Sequence, residues 1–199
     1  MRTTPGHNLR GRLTPTFAAS PVEALALGGP MPSPGALPVR PARRTDVARL
    51  TELRLWYLAE TARLEPRLRL QAEARERIAQ AVSSWIEHQH RVLLVAETAG
   101  EEGGAPQVVG YATGLFSVWP PIWRAQHVGE VSECFVVPQA RGKGAGRALL
   151  EGLVLELSRR GADVLRAPVP VKNDGSVALF HAAGFAPHMR VLERPAGTR

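Results

Sequence analysis

The stretch from residue 128 to residue 161 places the tightest constraint on what this chain can fold into, because strand, turn and helix signals follow one another there without a gap. Val128 to Val137 reads as a strand, stopped by Pro138. A glycine-rich turn follows, Arg141-Gly142-Lys143-Gly144-Ala145-Gly146-Arg147. Leu149, Leu150, Leu153, Val154 and Leu157 then recur with the spacing of one helical face, so a helix is predicted from near Gly144 to around Gly161. Such a turn leaves the first N–H groups of the helix without intrahelical partners, at the positive end of its dipole. Glycines let an anion approach the backbone, and Arg141, Lys143 and Arg147 add charge. The segment reads as a phosphate cradle. A glycine turn that closes a strand without any ligand is the bland alternative.

Spacing limits which phosphate ligand it suits. A P-loop needs Lys followed by Ser or Thr, and the two lysines, Lys143 and Lys172, precede Gly and Asn. A dinucleotide fingerprint needs Gly-x-Gly-x-x-Gly, whereas the glycines here stand at 142, 144 and 146. What remains is Arg-x-x-Gly-x-Gly, from Arg141 to Gly146.

Upstream, residues 1–36 hold prolines at 30, 32 and 34 beside Gly28, Gly29 and Gly35, which sustain neither a helix nor a central strand. They are read as a flexible extension, with residues 37–199 as the folded domain. Within that domain a short strand at Leu37–Arg40 precedes a helix that Thr45 or Asp46 can cap, with Val47, Leu50, Leu53, Tyr57 and Leu58 on its apolar face. Pro66 breaks it, and a second helix is predicted from about Gln71 to His88. Val92–Ala96 and Val108–Val118 read as a hairpin across a Gly-containing turn.

The formal charge of +7 invites a nucleic-acid reading. It is discounted, because the cations are nearly all arginine, scattered along the chain and mixed with acids. A single cysteine, Cys134, excludes an internal disulfide and a cysteine-based zinc site, and the chain is expected to work without a metal in the cytoplasm. No apolar run is long enough to span a bilayer, so no membrane partner is expected. A lone Cys in an apolar strand reads as packing rather than as an acyl carrier.

At the glycine turn the chain resembles the GCN5-related N-acetyltransferase (GNAT) superfamily, which carries an Arg/Gln-x-x-Gly-x-Gly/Ala loop after a strand ending like Val136-Val137-Pro138. Arg40 to Asp46 is similar to that family's first strand and helix start, and Asn173, Leu179-Phe180 and Gly184-Phe185 to its last conserved helix. Leu64-Glu65-Pro66-Arg67 and the proline-rich loop before Gly129-Glu130 resemble small bacterial single-domain members. The resemblance implies an α/β (α+β) fold, a mixed, mostly antiparallel, splayed sheet of about six or seven strands flanked by about four helices.

It further implies acetyl-CoA as co-substrate, its pyrophosphate on the amides of Gly142, Lys143, Gly144, Ala145, Gly146 and Arg147 beside Arg141. The main chain of Phe135, Val136 and Val137 would hold the pantetheine arm like an added strand, with Asn173 a further contact. A primary amine, on a small molecule or a peptide, attacks the thioester directly. Its ordinary pKa near ~10.4 calls for a base. Glu130 and Glu133 are the candidates. Three residues apart on a strand, they are expected on opposite faces, so one of them faces the substrate. Glu130 is preferred, since it precedes Arg141 by the interval at which several superfamily members place their base. The Tyr that protonates the departing thiolate in many relatives is replaced by Phe180, and no substitute acid is evident. Glu65, Arg67, Trp119 and Trp123 are the acceptor-site candidates, against a reading in which the tryptophans cap the core and Glu65 pairs with a local arginine. A homodimer is compatible with all this. The rival reading is a non-catalytic acetyl-CoA-binding regulatory module.

Overall fold

The computed structural model describes residues 37–65, 67–98, 105–125 and 127–194. The expected extension, the hairpin turn at 101–104 and Pro66 lie outside them. The elements run β1 (Val39–Pro41), α1 (Val47–Leu64), α2 (Ala74–Glu87), β2 (Arg91–Thr98), β3 (Gln107–Val118), β4 (His127–Val136), α3 (Ala145–Arg159), β5 (Val164–Arg166) and α4 (Asp174–Ala182). None of these helices is long and apolar enough to cross a membrane. The strands form one sheet in chain order. Every pair is antiparallel except β4 and β5, which α3 joins in parallel.

The sheet therefore has five strands among the described residues, fewer than the six or seven expected. The missing ones would have to follow α4, where residues 185–194 form neither strand nor helix. Met189, Val191 and Leu192 are exposed there, so no burial drives that segment onto the sheet.

Alternation along β3 sets the layers. Gly110 and Gly114 face α3, where an added Cβ would lie 3.2 Å from Leu149 Cδ1 or 3.1 Å from Leu157 Cδ1. Glycine at these positions lets Leu149, Leu153 and Leu157, all 0% exposed, press directly onto the sheet. Burying each leucine stabilises the fold by about 1.5–3 kcal/mol relative to exposure. On the opposite face α1 and α2 cover Tyr111 and Thr113, with Leu50, Leu53, Ile78 and Val82 buried beneath them.

The start of α1 departs from the simple cap expected. A 3-10 turn, Arg44–Asp46, precedes the helix, and Asp46 reaches back to accept from the Arg43 amide at 2.7 Å. Its carboxylate also takes two bonds from Arg40, at 2.8 and 3.0 Å, and Arg40 in turn binds Glu97 of β2. One arginine thus ties β1, the entry to α1 and β2 together.

Candidate active site

Three paired positions hold β4 to β5: Val128 with Val164, Gly129 with Leu165 and Glu130 with Arg166. β5 then ends while β4 runs on to Val136, so the outer edge of β4 beyond Glu130 has no strand partner among the described residues. The Val137 amide donates to Val109 O at 2.9 Å. Antiparallel alternation consequently turns the polar groups of Phe135 toward β3 and those of Cys134 and Val136 toward the opening. Val136 O already accepts from Arg141 Nε at 2.8 Å. Of the three residues expected along the pantetheine, Val136 is therefore the one whose main chain faces the gap, with its N–H left to donate.

The glycine turn closes that gap at its wide end. Pro138–Ala140 makes a 3-10 turn, and Gly142 (φ 74°) and Gly144 (φ 81°) follow in the left-handed region. A Cβ at either would meet nothing within 4 Å, so glycine is required by the backbone angle and not by crowding. The ladder of α3 opens with the Ala148 amide on Gly144 O at 2.9 Å, which places the amides of Ala145, Gly146 and Arg147 ahead of it.

The side chains around the turn behave differently from the charge count. Arg141 grips both oxygens of Glu60 on α1 at 2.9 Å and lies 5.5 Å over the Phe135 ring. Arg147 pairs with Glu151 at 2.7 Å along α3. Lys143 is exposed and carries no ion pair among the described residues. Asn173 caps α4, accepting from the Ser176 amide at 3.1 Å. Cys134 Sγ lies 3.8 Å from Gly146 O, and burial pushes its thiol up to about 12, which keeps it protonated and unreactive near neutrality.

A β-bulge changes the relation between the two glutamates. Glu130 opposes Leu115 and Val131 opposes Gly114, but Thr113 is opposed by Glu133, so Ser132 is the extra residue. Leu115 and Thr113 share a face, and Glu130 and Glu133 therefore share one too, the face under α1 and α2. The expectation of opposite faces assumed an unbroken alternation that the bulge removes.

Their surroundings differ. Glu133, with a side chain 11% exposed, accepts from Arg54 Nε at 3.2 Å, Arg54 Nη2 at 3.0 Å and the Tyr111 hydroxyl at 2.7 Å. Arg54 and Arg91 both lie over the Trp85 ring, 4.2 and 4.4 Å from its centre. Burial, then the charge of Glu133 and the hydrogen bond to it, holds the Tyr111 hydroxyl well above its ordinary value, so it stays a donor. Glu130, 28% exposed, meets Arg166 at 2.8 Å, and Arg166 lies 5.9 Å over the Trp119 ring. Arg54, Trp85, Arg91, Tyr111 and Arg166 escaped the sequence reading. Nothing short of the strand register connects Tyr111 to Glu133.

The other acceptor candidates are not brought together. Glu65 binds Arg67 through two 2.7 Å contacts, and Arg67 also reaches Glu193. Trp119 lies against Arg166, and Trp123 is 58% exposed. Phe180 is buried edge-on against Phe185 at 5.2 Å, a packing position with no polar atom to offer, while His181 is exposed.

A strand pair that parts beside a glycine turn and a helix N-terminus agrees with what comparison with known proteins finds. Residues 51–185 match the model of the acetyltransferase (GNAT) family. The chain is 38% identical over 85 residues to the L-methionine sulfoximine/L-methionine sulfone acetyltransferase of Salmonella typhimurium, a match covering 43% of this chain and 47% of that protein. The chain thus spans less than half the length of the curated relatives it matches. Among solved structures, a "predicted acetyltransferase with acetyl-CoA" from Clostridium acetobutylicum superposes with a TM-score of 0.63 at 17% identity, covering 80% of this chain and 96% of its own. An aminoglycoside N-acetyltransferase in complex with CoA gives 0.61 at 16% identity, covering 80% and 94%. The fold is shared with these two solved structures, and by the match over most of its length this chain belongs to the GNAT family.

Proposed function

We propose that the chain transfers the acetyl group of acetyl-CoA to a primary amine. The observation that carries this reading is the parting of β4 from β5 at Glu130 and Arg166, beside a left-handed glycine turn that opens α3. The amides of Gly142 to Arg147 are the donors for the pyrophosphate, and the Val136 N–H is the donor for the pantetheine arm along the open edge of β4. Lys143, exposed within the turn and without an ion pair among the described residues, adds a cation. Bound CoA and acetyl-CoA in structural relatives support this choice of co-substrate.

The reaction is an acyl transfer in a ternary complex. The amine nitrogen attacks the thioester carbonyl, the new N–C bond forms as the C–S bond breaks, and one amine proton is lost while CoA leaves as the thiolate. Glu130 is the proposed base, acting directly or through water. It stands at the last paired position of β4 and β5, where the opening begins, and is more exposed than Glu133. Glu133, saturated by Arg54 and Tyr111, positions the strand instead. Phe180 offers no proton, and a thiol pKa near ~8.5 allows CoA to depart as the thiolate without a dedicated acid.

Thiol release from acetyl-CoA in the presence of an amine panel tests this. CoA should appear only when enzyme, acetyl-CoA and amine are all present. Tight acetyl-CoA binding with no turnover of any amine would replace the enzyme with a binding module, the reading that the loss of a Tyr at Phe180 favours.

A further inference from the structure

A cleft of about 240 Å³ opens between α1, the connection after it and the first turns of α2. Its walls include Leu58, Leu70 and Ile78 and three arginines, Arg54, Arg69 and Arg77. Arg54 is neutralised by Glu133, so the cleft adjoins the strand that carries both glutamates. Arg69 and Arg77 are exposed and meet no carboxylate among the described residues. Outside the cleft wall, Arg91 of β2 rests on Trp85 with the Thr113 hydroxyl as its hydrogen-bond partner at 3.2 Å; burial lowers its pKa, and Glu133 and Glu130 face it as counter-charges. The acids of the adjoining chain do not cancel this charge. Glu65 is held by Arg67, and Glu73 and Glu76 are exposed and form no part of the cleft wall. The cleft wall therefore sets Arg54, Arg69 and Arg77 against Glu133.

Building on the acetyl-transfer reading, we propose that this cleft selects an acceptor carrying a carboxylate beside its amine, an amino acid or similar small amino-carboxylate, with Arg69 and Arg77 as the carboxylate-binding residues. Arginine's planar fork matches a carboxylate through two parallel hydrogen bonds. The apolar walls take the remainder of the side chain. A polycationic acceptor, such as an aminoglycoside, would set like charges against the two uncompensated arginines, Arg69 and Arg77, which is discrimination by repulsion. Size points the same way. Pockets for drug-sized ligands span roughly 300–1,000 Å³, so a cleft of about 240 Å³ suits a molecule of amino-acid dimensions.

The test compares L-amino acids with their carboxamides, with the matching decarboxylated amines and with an aminoglycoside, all at saturating acetyl-CoA. The carboxylate-bearing acceptor should show kcat/KM at least about ten-fold higher, the scale of one charge-assisted hydrogen-bonded pair. Arg77→Gln and Arg69→Gln should each raise its KM about ten-fold and leave unchanged both the KM for acetyl-CoA and the turnover of the decarboxylated amine. Amines without a carboxylate turning over as well or better would overturn the proposal while acetyl transfer stands. So would variants that weaken every amine equally. If no amine of any kind is acetylated although calorimetry shows acetyl-CoA bound, the acetyl-transfer reading fails and this one falls with it.

Discussion

Glu130 and Glu133 sit on one face of one strand, yet their partners assign them different work. Glu133 is the anchor of a partly buried array in which Arg54 and Tyr111 complete its hydrogen bonding. Glu133→Gln leaves Arg54 without its counter-charge, and breaking a buried pair from one side costs about 3–5 kcal/mol. The pair here is 17% and 11% exposed, so the lower end applies, and thermal unfolding should show a fall in Tm with acetyl-CoA affinity largely kept. Glu130→Gln should do the reverse, lowering kcat by about 10²–10⁴-fold and flattening its rise with pH at nearly unchanged Tm. Equal, mild losses from both substitutions would remove the base from Glu130. That both glutamates lie on the strand leading to the glycine turn was legible in the sequence. Their shared face was not, because the bulge at Ser132 is a property of two paired strands. The candidates for the acceptor site were harder still. Glu65 and Arg67 were singled out, and they satisfy one another, while Arg69 and Arg77, a few residues on, line the cleft.

The turn into α3 was the most legible element, since left-handed glycines, a helical leucine stripe and the preceding strand are all local signals. Gly144 (φ 81°) serves it twice, as the helix cap and as backbone open to an anion. Gly144→Glu should abolish acetyl-CoA binding, measured by calorimetry, because it strains the left-handed angle and places a carboxylate where the phosphate belongs. Binding kept within a few-fold would remove the turn from the cofactor site. Charge counting alone does not show that the Arg141 guanidinium joins the end of β4 to Glu60 of α1. A pH effect belongs to the opposite end of α1. Burial alone raises the Asp46 pKa, but the bonds from Arg40 and from the Arg43 amide outweigh it and leave the carboxyl below its ordinary value of 3.8. A depressed folded pKa adds stability that is complete above the unfolded value and is lost as pH falls through the folded one. Denaturant titrations should therefore show stability falling below about pH 4, and Asp46→Asn should remove part of that acid slope while lowering stability at neutral pH.

At the scale of the molecule, the net charge of +7 proves a poor guide to partners because so many arginines are spent internally. Arg40, Arg54, Arg141, Arg160 and Arg166 each pair with a carboxylate on the sheet or the helices packed against it. The order of elements followed from hydrophobic period and turn residues, and the α/β class from the family resemblance. The strand count did not, because β1 and β5 are only three residues each and the segment after α4 leaves Met189, Val191 and Leu192 exposed instead of burying them on the sheet. The proposed domain boundary gives the last test. β1 begins at Val39 and pairs with β2 through Val39, Arg40 and Pro41, while Arg40 also fixes Asp46 and Glu97. A chain of residues 37–199 retains all of these and should match the full chain in kcat/KM within about two-fold and in Tm within about 2–4 °C, the shift that ~1 kcal/mol produces in a domain of this size. A chain starting at Ala42 loses the strand and the arginine together. It should melt well below that range, since Asp46 and Glu97 are then left half-buried without their cation. If cutting at residue 37 destabilises the protein as much as cutting at residue 42, the fold extends into residues 1–36 and the boundary is misplaced.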